Sequence, residues 1–141
     1  MPFIQACREC GITFVHSDPW SSPASAEKNV EMIQHSYLAP TICGAIQRAK
    51  GYIPCRIFKN ISYGHIGLTN SAEVNKLFGG RLVYDPDPYC LFFKGQAKLR
   101  DPHALEELYE LMDFVKEHHT YINRAEHMLN FVKQSRYYWG I

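Results

Sequence analysis

Apolar and polar positions along this chain follow one period in the middle and another towards the end, and the predicted elements follow that change. Phe3-Ile4-Gln5-Ala6 and Ile12-Thr13-Phe14-Val15 have strand character on either side of Cys7-Arg8-Glu9-Cys10-Gly11, so residues 3–7 and 12–16 are predicted as a short hairpin. A loop over residues 17–23 leads into a helix, with Ser22 placed to cap and Pro23 in the first turn. Val30, Ile33, Tyr37 and Leu38 recur at helical spacing opposite Glu27, Lys28 and Glu31. Pro40 breaks or restarts that helix, Ile42, Ala45, Ile46 and Ala49 extend the apolar stripe, and Gly51 stands where a helix has ended.

The middle is rich in β-branched and aromatic residues. Residues 52–58 and 61–68 are predicted strands, the first at a sheet edge because Pro54 cannot donate to a ladder. Residues 71–78 are a short helix that starts at Asn70 or Ser71 and stops at Gly79-Gly80. Residues 81–84 and 89–94 are read as two strands around Asp85-Pro86-Asp87-Pro88. The last third is helical: Asp101-Pro102 opens a stripe of Leu105, Leu108, Met112, Val115, His119 and Ile122. Asn123 with Glu126 forms a capping-box pattern, which divides the stretch into one helix ending near His119 and a second running from Arg124 to about Tyr137, a single long helix being the alternative. The expected fold is a single α+β domain over residues 1–141, a small, mostly antiparallel sheet packed by N-terminal and C-terminal helices.

Composition sets the class. At 141 residues, 46% hydrophobic and 21% charged, the chain has the make-up of an ordinary globular domain large enough to bury a core without disulfides. No apolar run reaches the roughly 18 residues needed to span a bilayer, so no membrane partner is expected. An odd number of cysteines, five, fits reduced thiols or metal ligands and a reducing compartment, cytoplasmic or nuclear. The net charge of +1 hides an asymmetry: residues 48–100 carry nine Lys and Arg against three acids, and residues 101–117 six acids against one lysine. That polarity is either matched within the fold or turned towards an anionic partner.

Candidate chemistry follows from three groups of residues. Cys7 and Cys10, two residues apart and followed by a glycine, have the spacing of a knuckle that supplies half of a structural zinc site in the predicted hairpin. Cys43, close to a helix start, and His65, on a predicted strand, carry the nucleophile and base of a cysteine-dependent hydrolase. Arg56, Arg81, Lys94, Lys98 and Arg100 would hold charge while Tyr84, Tyr89 and Phe92 stack, as in sites for nucleic acid or a nucleotide. The favoured expectation is a small non-enzymatic binding module that engages an anionic partner (nucleic acid, nucleotide or an acidic protein surface) through this basic, aromatic middle. The alternatives are the Cys43–His65 hydrolase and a protein-only inhibitor or adaptor acting through the acidic helix and the aromatic terminus at residues 136–141. His118, His119 and His127 read as solvated helix residues, and the C-terminal helices offer a homodimer contact.

Overall fold

The computed structural model describes residues 1–16 and 21–139, with side chains described as far as Ser135. In chain order the elements are α1 (Pro2–Glu9), α2 (Ala26–Gln34), β1 (Pro40–Thr41), α3 (Ala45–Ala49), α4 (Arg56–Ser62), β2 (Leu68–Thr69), α5 (Ala72–Leu77), β3 (Val83–Tyr84), α6 (Pro88–Leu99), α7 (Ala104–His118) and α8 (Tyr121–Trp139). The fold is 59% helix and 5% strand, and its three strands pair in parallel in the order β1-β2-β3. This corrects the expected mostly antiparallel α+β sheet. Parallel neighbours need crossovers, which α3 with α4 and then α5 supply.

Consecutive residues of a strand face opposite sides of a sheet, and β2 separates two cores in that way. A Cβ on Gly67 would meet Leu82 Cδ2 at 2.5 Å and Ile61 Cδ1 at 3.1 Å, whereas a Cβ on Gly95 of α6 would meet Leu68 Cδ2 at 2.5 Å. Thus α4 and α6 lie on opposite faces. On one face Ile57, Phe58 and Ile61 of α4 pack with Val74, Phe78 and Leu82 and with Leu111 and Val115 of α7. On the other, Phe3, Ala6 and Cys7 of α1 pack on Phe92 of α6, the Phe3 and Phe92 rings meeting edge to face at 5.4 Å.

Five predicted strands do not form as read, the stretch 61–68 keeping only Leu68 in a strand. Residues 3–7 belong to α1, because Pro2 takes the first turn and Phe3, Ala6 and Cys7 share one helical face. Residues 12–16 carry no regular secondary structure and pair with no strand among the described residues, which corrects the expected N-terminal hairpin. The stretches 52–58 and 61–68 give way to α4 and to β2, whose side chains Leu68 and Thr69 are both fully buried. Residues 89–94 are the first half of α6, where Asp87 accepts from the Tyr89 N–H at 2.9 Å and Pro88 occupies the first turn.

Other signals are confirmed at shifted positions. Ser71 caps α5 as read, but α2 is capped by Ser25 rather than Ser22. The break between α7 and α8 is set by Thr120 and Asn123: the Thr120 N–H donates to Asn123 Oδ1 at 2.8 Å and the Asn123 N–H to Thr120 Oγ1 at 3.2 Å. Two readings, the loop at residues 17–20 and the aromatic end at 136–141, concern residues or side chains outside those described.

Candidate functional site

In a parallel sheet the strand ends, where loops enter helices, are the natural place for chemistry. Here the residues following β2, Asn70 and Ser71, are polar and buried. The Cys43 N–H donates to Asn70 Oδ1 at 2.7 Å, and Asn70 Nδ2 donates back to the Cys43 carbonyl at 3.0 Å, so one amide side chain clips the β1–α3 loop to the β2–α5 loop. The Ser71 N–H donates to Thr69 Oγ1 at 3.2 Å. Arg56 donates to the Ile42 carbonyl and Arg48 Nη1 to the Pro86 carbonyl, while Arg48 Nε is buried with no hydrogen-bond partner among the described residues.

Cys43 sits beside this clip, and His65 does not. The thiol is buried, and burial pushes its pKa up despite the opposing pull of the Arg56 and Arg48 guanidinium groups. His65 precedes β2, at the other end of the sheet, with its Nε2 3.2 Å from Ser36 Oγ. The Ser36 hydroxyl spends its one proton on the Ile33 carbonyl at 2.8 Å, so it accepts from His65, which fixes the neutral ring with its proton on Nε2. Burial holds the His65 pKa below its ordinary value. The structure therefore does not bring Cys43 and His65 together.

The basic and aromatic residues of the middle are also dispersed. Phe92 is a core residue, and Tyr89 donates its hydroxyl proton to Glu9 Oε2 at 2.6 Å, holding that carboxyl below its usual range. Lys94 lies 2.8 Å from Asp85 Oδ2 and donates to the carbonyl of Tyr84, a β3 residue. Lys98 lies 2.7 Å from Asp101 and 2.6 Å from Glu107, so part of the charge polarity is matched inside the fold. Arg81 donates to the Phe78 carbonyl at 3.0 Å with its guanidinium over Phe114, and Arg100 ends α6. No shared face carries these eight side chains.

Cys7 and Cys10 lie at the end of α1, Cys7 buried against Phe92 and Cys10 exposed. Burial, and next the neighbouring Cys10, raises the Cys7 pKa. Among the described residues no group of three or more His, Cys, Asp and Glu gathers as metal ligands do. His119 is not a solvated helix residue. It packs between Phe58 and Phe114, its ring 5.0 and 5.1 Å from theirs, and burial lowers its pKa.

What sequence reasoning missed is a cleft of about 620 Å³. Phe3 and Phe92, Ile12 and Phe14 of the segment after α1, and Met32 and Ile33 of α2 line it. Arg56 and Asn60 reach it from α4, and Ser36 and His35 from the chain after α2. The cleft lies along α2, whose apolar residues Val30, Met32 and Ile33 are only partly buried. Of the residues singled out from the sequence, Arg56, Phe92 and Cys7 line it, whereas Cys43 and His65 do not. An apolar helix face with no predicted partner was the available signal.

No protein-family model, curated protein or solved structure matches the chain.

Proposed function

We propose that this protein is a small non-enzymatic binding module whose anionic partner is a small molecule with an apolar body, taken into the cleft beside α2. The observation that carries the reading is the joint lining of one 620 Å³ cleft by apolar side chains and the Arg56 guanidinium. That volume lies within the usual size of small-molecule sites, which are mostly apolar with a few fixed polar groups. Arg56 uses one donor on the Ile42 carbonyl, and a guanidinium has five, which leaves donors for a carboxylate, sulfonate or phosphate. Asn60 Nδ2 is held on the Ala39 carbonyl at 2.7 Å, so the polar end of the cleft is preorganised.

The test uses 1-anilinonaphthalene-8-sulfonate, an apolar anion, titrated into the full chain and displaced with decanoate. Saturable one-site binding is expected, weakened at least about tenfold by Arg56→Gln through loss of a charge-assisted hydrogen bond. Ile33→Trp, which fills the cleft from a helix that buries nothing, should abolish it. Absence of saturable binding, or binding indifferent to both substitutions in chains whose circular dichroism is unchanged, overturns the reading.

A further inference from the structure

The last described helix has an apolar face that the rest of the chain leaves uncovered. Among the described residues α8 makes no substantial packing contact with any other element, and it meets the body at its first turn, where the Arg124 guanidinium lies 5.2 Å from the Phe58 ring centre. Tyr121, Ala125, Met128 and Val132 follow the alternating four-three spacing of a helix seam. Ile122 and Leu129 widen that seam on one side and Phe131 on the other. Tyr121 is 82% exposed, Ile122 and Phe131 71%, Met128 70%, Leu129 60% and Val132 49%. At these exposures the six side chains offer apolar surface on the order of 800 Å², more than the few hundred that single-chain proteins leave open.

We propose that α8 pairs antiparallel with α8 of a second copy of this chain about a two-fold axis. The area is what each partner contributes to a standard stable interface, roughly 800 Å². A two-fold contact needs a surface that fits itself, and an apolar seam with aromatic and Met side chains and charges at its borders meets that need. The polar side, Asn123, Glu126, His127, Asn130, Lys133 and Gln134, carries a single lysine offset by Glu126; the helix's other cations are Arg124, which lies over the Phe58 ring, and Arg136. A helix that lies on a membrane or tracks nucleic acid is instead rich in Lys and Arg there. Antiparallel pairing also sets the two bodies, one at the start of each helix, at opposite ends of a seam roughly 28 Å long.

Sedimentation equilibrium of the full chain from about 5 to 200 μM tests this. The expected mass is twice the chain mass of 16.3 kDa. Met128→Glu with Val132→Glu should weaken the dimer at least about a hundredfold, and Asn130→Lys, on the polar side, should leave it intact. Because α8 stands off the body, near-ultraviolet circular dichroism of the double variant should match the parent. A monomer at the highest concentration overturns the proposal, and one that binds phosphatidylserine vesicles gives the face to a membrane instead. A dimer that survives the double substitution overturns it in favour of another surface.

Discussion

Replacing Asn70 by alanine tests whether the sheet ends are held by its single amide. The side chain is 2% exposed and exchanges two hydrogen bonds with the Cys43 backbone, at 2.7 and 3.0 Å. Alanine leaves a buried N–H and a buried C=O without partners, each costing about 1–3 kcal/mol, so a total near 3 kcal/mol is expected. Against a stability of roughly 5–15 kcal/mol that is a large fraction, and for a chain of this size it lowers Tm by about 10 °C. Urea unfolding followed by tryptophan fluorescence reads it as a lower midpoint at unchanged slope. Asn70→Asp separates acceptor from donor: the carboxylate still accepts from the Cys43 N–H but opposes the Cys43 carbonyl, so its pKa in the fold is raised. A raised carboxyl pKa means the unfolded chain ionises first, so the penalty is largest at pH 7 and shrinks as pH falls towards about 4. A loss below 1 kcal/mol for Asn70→Ala, or a pH-independent difference between Asn70→Asp and the parent, would refute the reasoning.

Gly95→Ala should destabilise by about 1–3 kcal/mol although alanine is the better helix former, because its Cβ would stand 2.5 Å from Leu68 Cδ2 and 3.2 Å from Leu38 in a filled core. A gain in thermal stability would show that α6 is free to shift. His65 and His119 both have pKa values lowered by burial, so below the unfolded value near 6.5 the unfolded chain takes up protons that the fold refuses. Stability should be full above that value and fall as pH drops from 7 towards 5.5, less steeply in His65→Gln; a flat profile through that window contradicts the assignment.

How much of this fold the sequence disclosed depends on where the deciding interaction lies. The start and stop of α5 and the break before α8 are local devices, Ser71, Gly79-Gly80 and the Thr120–Asn123 pair, and they are readable from neighbouring residues, whereas Asp101-Pro102 lies just ahead of α7, whose N-cap is His103 with no side-chain cap. Asp87-Pro88 is such a device, with Asp87 capping and Pro88 in the first turn of α6, yet the aromatic run after it carries β propensity and suggests a strand. The structure favours the cap, because Leu91, Phe92 and Gly95 then share the face that meets β2 and α1. The sheet is the opposite case. Each strand has two residues, too few for any period to show, and its parallel sense depends on crossovers joining Thr41, Thr69 and Tyr84 across more than forty positions.

The place of the candidate site was not legible in the sequence, for the same physical reason. Charge in the middle segment is plain from composition, but a lysine on a helix meets whatever lies three residues on or across the next turn. Lys98 thus meets Asp101 and Glu107, and Lys94 meets Asp85. Arg56 differs because it opens α4, where the helix start reaches both the Ile42 carbonyl and the cleft. The cleft itself is assembled from segments near residues 3, 14, 33, 56 and 92, and no local pattern records that they converge. What a sequence does carry is an excess: α8 has an apolar stripe that no other element covers among the described residues, and Val30, Met32 and Ile33 of α2 are only partly buried. Open apolar surface on α8 and a cleft beside α2, in a chain that encloses Phe3, Ile57, Phe78 and Phe92 almost wholly, are the features the two proposals use. On the two proposals above, the cleft beside α2, bordered by a guanidinium, takes a small anionic molecule, and the apolar face of α8 takes its own copy.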